Sequence, residues 1–397
     1  MTGLQAGQRR ARELLSRVPL IDGHNDLPWA LRYFGAMDLD QVNLAGPVSR
    51  THTDLPRMSA GGLGGQFWSV YVPASLAGDA AVATTLEQID LVHRMVRRYP
   101  DRLELALTAA DVQRIFAAGR VAALIGAEGG HSIASSMGVL RCLYALGVRY
   151  LTLTHNNNVP WADSATDEPR AGGLTEFGRA VVGEMQRLGM LVDLSHVSPG
   201  TMRDALEVAA APVMFSHSSA RALCGHPRNV PDDVLARLPG NGGLCMVTFV
   251  PDFVSPECAA WAGRLTADIR ERGLDPRDID TREQMGEDRA AADPRPTATL
   301  AHVADHVEHV REVAGIEHVG LGGDMDGTFQ LPAGLADVSC YPALFAELLS
   351  RGWTEDDCAR LAGGNLLRVL RGAEDAARAL AQRRPPSTAR IEELDAG

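Results

Sequence analysis

The chain contains no CxxC pair: its six cysteines are scattered at 142, 224, 245, 258, 340 and 358. That leaves buried free thiols in a reducing compartment as the plain reading, and places no cysteine to join a thiolate zinc site. Aromatics make up only 5% of the residues, so there is no stacking platform for bases. Basic residues are outnumbered, 38 Lys and Arg against 50 Asp and Glu, for a formal net charge of −12. This balance argues against nucleic acid and anionic membrane as partners, although a local basic group can still bind a carboxylate. No stretch reaches the length of a membrane span. The opening MTGLQAGQRRARELLSR lacks an apolar run and the ending RRPPSTARIEELDAG is polar, without a lipid-anchor pattern, so a cytoplasmic location is expected. The glycine-rich GGLGG (61–65) lacks the Lys-Ser/Thr of a phosphate loop and precedes an apolar run, which reads as a tight turn.

What the 397 residues do contain is a rhythm. Short apolar runs recur: VPLID (18–22), FWSVYV (67–72), VAALIGA (121–127), VRYLTLT (148–154), MLVDLS (190–195), APVMFS (211–216), GLCMVTFV (243–250) and HVGLGG (318–323). Each is rich in Val, Ile, Leu or Phe and bounded by turn residues, the pattern of strands buried on both faces. Between them lie helical patterns such as LEQIDLVHRMVRRYP and TEFGRAVVGEMQRLG, and SPGTMRDALEVAA opens with a Ser-Pro start. Eight strands alternating with helices predict a (β/α)8 barrel, a TIM barrel, rather than an open sheet. The expected organisation is one barrel domain over 1–397. An Asp-, Arg- and Pro-rich excursion at 252–300 would pass over one end, and an extended surface arm would start at Arg383.

The runs end in chemistry. GHND, with His24 and Asp26, follows the first; Glu128 and two glycines follow VAALIGA; His155 follows VRYLTLT. His196 and His217 close the next two runs, and GGDMDG, with Asp324 and Asp326, closes the last. Barrel enzymes carry their reactive groups at the C-terminal ends of different strands, so these side chains would converge on one mouth. Imidazoles and carboxylates together suit Zn²⁺, with Mn²⁺ or Co²⁺ as alternatives, and one carboxylate can bridge two ions about 3.5–4 Å apart. Taken singly, His24-x-Asp26 is a weak pattern, and His196 or His217 alone reads as a satisfied core histidine. Glu128 is stronger, because a carboxylate directly after a buried strand costs desolvation unless it is paired. Their common position at successive strand ends is what predicts a metal site.

Other histidines read differently. His302, His306 and His309 lie at helical spacing in AHVADHVEHV and are expected on a solvated face, while His131 should point away on a loop. Arg228 has the planar fork that suits a carboxylate, or it pairs with Asp232 or Asp233.

In combination, IDGHNDLPW, GAEGGHSI, RYLTLTH with NVPWAD, DLSHVS, FSHSSA, RNVPDD and GGDMDG resemble the membrane dipeptidase (renal dipeptidase) family, from about residue 18 to 371. The resemblance implies a barrel with two zinc ions: His24 and Asp26 on one, His196 and His217 on the other, and Glu128 bridging them. It implies that His155 and Arg228 contact substrate, that Asp324 handles protons, and that dipeptides, often with a C-terminal D-residue, are hydrolysed. The chain departs from the mammalian pattern in showing neither secretion nor anchoring signals. HNNN (155–158) stands where the family has a cysteine, and Phe253 stands for a substrate-contacting Tyr.

The expected mechanism is attack by a hydroxide shared between two ions, with His155 stabilising the developing oxyanion and Asp324 passing a proton to the leaving amine. A lactonase or deacetylase on the same centre, or a non-catalytic metal-binding protein, are the alternatives. The expected partner is a small-molecule dipeptide, with a homo-oligomer, such as a dimer, as the assembly.

Overall fold

The computed structural model describes residues 3–395. Nine parallel strands form in chain order: β1 Leu20–Asn25, β2 Leu63–Ser69, β3 Leu103–Leu105, β4 Val121–Glu128, β5 Val148–Thr152, β6 Leu191–Asp193, β7 Met214–Phe215, β8 Leu244–Val247 and β9 Val319–Leu321. Pairing runs β2-β1-β9-β8-β7-β6-β5-β4, and β2 also pairs with β4, which closes an eight-stranded barrel. Helices follow the strands and surround them, so the fold is a TIM barrel with eight of the strands at the sequence-predicted places. The ninth, β3, was not predicted. It pairs with Val121–Ala123 of β4, on the edge that β5 takes from Ile125 onward.

GGLGG is not a simple turn. Gly61 ends the helix Leu55–Gly61, Gly62 takes φ 74° at its C-cap, and Leu63 already begins β2. The strand therefore starts four residues before the apolar run.

Inside the barrel, Ile21, Phe67, Leu124, Tyr150, Met214 and Met246 pack in one buried cluster with helix Asn365–Ala381. Tyr150 is accommodated because its neighbour on β4 is glycine: a Cβ on Gly126 would lie 1.9 Å from the Tyr150 ring. The ring therefore lies flat across β4, and its hydroxyl reaches His24 Nδ1 at 2.8 Å. A packing detail of the barrel floor thus orients a side chain of the mouth.

After β8 the chain forms helices Pro251–Val254, Pro256–Glu271 and Ile279–Ala290, the last two of which share a small apolar cluster of Trp261, Leu265, Ile269 and Met285. Arg277, between the last two, donates to Asp167 at 2.7 Å in the loop that follows β5. Beyond Arg383 the chain crosses helix Glu176–Leu188. Ser387 exchanges bonds with Glu184 and Arg141, and the Asp395 carboxylate accepts from Thr175 Oγ1 and Phe177 N at that helix's N-terminus. Among the described residues no helix is long and apolar enough to cross a membrane.

Two thiol and histidine expectations are corrected. Cys142 is exposed and Cys340 half-buried, while 224, 245, 258 and 358 are buried. His306 is 1% exposed: Nδ1 accepts from Ala220 N at 3.0 Å and Nε2 meets the Val254 carbonyl at 3.2 Å. It is a core histidine that joins three elements, whereas His302 caps its own helix and His309 pairs with Asp232.

Candidate metal centre

The mouth is built strand by strand. After β1, Asp26 stands at the N-cap of helix Leu27–Gly35, yet its side chain makes no capping bond. Asn25 takes that duty: its Oδ1 accepts from Leu27 N at 2.9 Å and its Nδ2 donates to Thr53 Oγ1. The Asp26 carboxylate is thereby left to face His24 Nε2 at 3.3 Å. Glu128 ends β4 and is 3% exposed. Its two oxygens look in different directions. Oε2 lies 3.4 Å from His24 Nε2 and accepts from Ser69 Oγ at 3.1 Å. Oε1 lies 2.9 Å from His196 Nε2, 3.5 Å from His217 Nε2 and 4.0 Å from His155 Nε2.

Seven predicted residues therefore meet. Three sets each have ligating atoms within 4.8 Å of one another: His24, Glu128 and His217; Glu128, His155 and His196; His24, Asp26 and Asp324. His155, expected on substrate, is thus also within ligand range, and Asp324 Oδ1 lies 4.0 Å from His24 Nε2. His131 sits aside, with its ring on the Val72 carbonyl at 3.1 Å.

The donor set fits a cation. His24 Nε2 and Asp26 Oδ1 are buried with no hydrogen-bond partner, which costs free energy unless something binds them. His196 and His217 point Nε2 at Nε2 across 3.0 Å, an arrangement in which two neutral lone pairs repel unless a proton or a metal lies between. Burial opposes charge on His24, but Tyr150, Glu128 and Asp26 together draw its pKa well above that of a free imidazole. Burial would likewise raise Glu128, but His24, His196 and His155 hold it well below the usual carboxylate range. Burial keeps His196 and His217 neutral, helped by Arg228 and neighbouring imidazoles, and neutral imidazole is the ligating form. Burial also lowers His155 to about 4.

Asp324 is pushed up to about 8, first by burial and then by Asp26 and Glu128. It and His196 hold left-handed backbone, φ 58° and 69°, a conformation that costs non-glycine residues about 1–3 kcal/mol and concentrates at functional sites. Asp326, φ 66°, is a clamp: its Oδ1 accepts from His52 N at 2.6 Å while its own N–H donates to His52 Nδ1.

Arg228 is 2% exposed, and the ion pair with Asp232 or Asp233 does not form. Asp232 pairs with His309 and Asp233 with Arg203. Nη2 reaches only the His217 carbonyl, at 3.5 Å, and Nη1 has no partner. The guanidinium lies over the Phe253 ring, which in turn stacks on His226.

Sequence reasoning overlooked Asp22, Tyr71 and Ser69. Tyr71 packs its ring 4.9 Å from His155. Asp22 is fully buried and accepts from His24 N, Gln66 Nε2, Gly323 N and the Tyr341 hydroxyl, so one carboxylate ties β1 to β9 beneath the mouth. The signal was available: a carboxylate inside a run buried on both faces needs partners.

Buried imidazole and carboxylate side chains gathered within ligating range at the C-terminal strand ends of a closed barrel define a metal-dependent enzyme. The chain belongs to the membrane dipeptidase family (peptidase family M19), whose model matches residues 8–384. It is 42% identical to Dipeptidase verJ of Clonostachys rogersoniana, covering 92% of this chain and 87% of that protein. It is 43% identical to Dipeptidase 3 of Mus musculus, covering 92% and 67%. The solved structure of a metallo peptidase from Rhodobacter sphaeroides, liganded with a phosphinate mimic of the dipeptide L-Ala-D-Ala, superposes with a TM-score of 0.74 at 27% identity, over 90% of this chain and 99% of that one. The protein is thus a metal-dependent dipeptidase.

Proposed function

We propose that the centre holds two zinc ions and hydrolyses dipeptides with a free C-terminal carboxylate, tolerating a D-residue there. The observation that carries this reading is the division of Glu128: one oxygen faces His24 beside Asp26, the other faces His196 and His217. His24 and Asp26 would hold one ion, His196 and His217 the other, with Glu128 between. When bound, the ions would supply an activated water near neutral pH and polarisation of the scissile carbonyl.

The chain's own groups do the rest. The unpartnered Nη1 of Arg228 would bind the substrate carboxylate, and that anchor would limit the substrate to one residue beyond the scissile bond. His155, neutral and 8% exposed, donates toward the oxyanion. Asp324 takes a proton from the attacking water and passes it to the leaving amine. Its pKa, raised by burial and by Asp26 and Glu128 against the pull of His24 and Arg228, comes to about 8, close enough to neutrality for the carboxyl both to hold and to release a proton. The dipeptide mimic bound by the Rhodobacter sphaeroides relative, with its D-alanine, supports the stereochemical part. Six free thiols support residence in a reducing cytoplasm.

A panel tests this: L,L- and L,D-dipeptides, their C-terminal amides, N-acetyl amino acids and a lactone. Dipeptides with free carboxylates should be the best substrates, with L,D comparable to L,L. Preference for the lactone or the N-acetyl compounds would contradict the reading.

A further inference from the structure

Beneath His217 lies a second buried carboxylate, Asp193, which the reaction itself does not use. It ends β6, is 0% exposed and has a divided role. Oδ1 accepts two backbone N–H groups, Ser195 N at 3.1 Å and Ser216 N at 2.8 Å. Oδ2 accepts two hydroxyls, Thr152 Oγ1 at 2.5 Å and Ser216 Oγ at 2.6 Å. Ser216 Oγ also lies 2.8 Å from His217 Nδ1.

A serine hydroxyl has one hydrogen. Given to the imidazole, it would leave Ser216 Oγ and Asp193 Oδ2 facing each other as bare acceptors. Given to the carboxylate, it makes the stronger, charge-assisted bond and leaves Oγ free to accept from His217 Nδ1–H. In this second arrangement each contact has one hydrogen. The proton on Nδ1 leaves Nε2, which points at Glu128 Oε1 and His196, with its lone pair. His196 has no such lock: its Nδ1 is buried without a partner.

The geometry assigns Asp193 as a positioning residue that, through Ser216, fixes the His217 tautomer so that Nε2 is ready to bind a metal ion. This deepens the two-metal reading and rests on it. The role differs from that of a carboxylate that merely fills a hole, because it predicts the sign of an epistasis. In Asp193→Asn the carbonyl must take the Oδ1 place, since two backbone N–H groups point there and cannot reverse. The amide NH2 then faces Ser216 Oγ and donates to it. Ser216 then sends its own hydrogen to His217 Nδ1, at 2.8 Å a nearer acceptor than Ser195 Oγ at 3.5 Å, and the imidazole proton moves to Nε2, where it blocks the ligand. Ser216→Ala only removes the lock. Removing the serine from Asp193→Asn should therefore restore metal binding.

The test measures zinc affinity by chelator competition on four full-length chains: wild type, Asp193→Asn, Ser216→Ala and the double variant. Ser216→Ala should bind zinc about 10-fold more weakly, within the usual 10- to 100-fold for an outer-shell partner. Asp193→Asn should lose at least 10-fold more than that, and the double variant should return to the Ser216→Ala level. A double variant as weak as Asp193→Asn or weaker, or Asp193→Asn no worse than Ser216→Ala, would overturn the assignment. A second measurement needs no variant at Asp193, should that chain fail to fold. In chelator-treated wild type labelled with ¹⁵N-histidine, long-range ¹H–¹⁵N correlation should place the His217 proton on Nδ1. His217→Asn identifies the signal. A proton on Nε2 overturns the proposal. Wild type that binds no zinc yet shows the Nδ1 proton would overturn the two-metal reading and leave the positioning role standing.

Discussion

Replacing Arg228 by methionine should make the protein both more stable and less selective. The guanidinium is buried, one of its nitrogens meets no acceptor, and no carboxylate pairs with it. Burial draws its pKa down from 12.5 to about 10. At 1.36 kcal/mol per pKa unit, that corresponds to about 3 kcal/mol opposing the folded, charged state. For a base with a depressed folded pKa, the destabilisation is complete below pH 10 and fades only as pH rises from there toward 12.5, so all of it is present at neutral pH. Methionine keeps most of the apolar contact without the charge, and replacing buried charge by apolar volume is often stabilising. The thermal midpoint without ligand should therefore rise by a few degrees. Against a dipeptide, kcat/KM should fall about 10- to 150-fold, the equivalent of about 1.5–3 kcal/mol for a hydrogen bond to a charged group. Against the C-terminal amide, which has no carboxylate to lose, it should change little. Assaying both enzymes on both substrates forms a double-mutant cycle. Additive losses would refute Arg228 as the carboxylate anchor and turn attention to the helices of 251–290 as the cause of dipeptide selectivity. A lower midpoint would refute the argument from burial.

Glu128→Gln should lower metal content and activity together with little change in secondary structure by circular dichroism; normal metal content with lost stability would reduce Glu128 to a structural carboxylate. Asp324→Asn should keep its metals and near-normal substrate binding while kcat drops about 10²–10⁴-fold, and a kcat near wild type would remove it from the mechanism. Asp326 is the control. Its folded pKa is pushed up to about 7, first by burial, above the unfolded value, so the folded state binds more protons between about pH 4 and 7. Stability should fall as pH rises through that window. Asp326→Asn should flatten the fall in thermal midpoint, with a smaller effect on kcat than Asp324→Asn.

The barrel was legible because its strands are buried on both faces and so write themselves as continuous apolar runs. β3 escaped because LEL is three residues long and only its first is fully buried. The start of β2 escaped because Gly64 and Gly65 look like turn residues. They are glycine for packing: a Cβ on Gly64 would lie 2.8 Å from the Pro19 backbone. The site was legible for a different reason: in a parallel barrel, histidines and carboxylates at the same end of successive strands must face one mouth. What sequence cannot carry is pairing. Whether Arg228 is neutralised depends on Asp232 and Asp233, close by in the chain, having been claimed by His309 and Arg203. His306 sits among Asp and Glu in sequence but against Ala220 and Val254 in space. The strained backbone at His196 and Asp324 has no local signature, since both are held by partners from elsewhere in the chain, Ala165 on His196 and His24 on Asp324.

The central claim, a two-ion centre shared through Glu128, is tested most directly by metal content measured beside activity. Elemental analysis of the purified chain should give close to two transition-metal ions per 42.4 kDa. Chelation should abolish dipeptide hydrolysis, and zinc titrated back should restore it in proportion to occupancy, complete only near two. Full activity at one ion per chain, or activity that survives removal of both, would contradict the account.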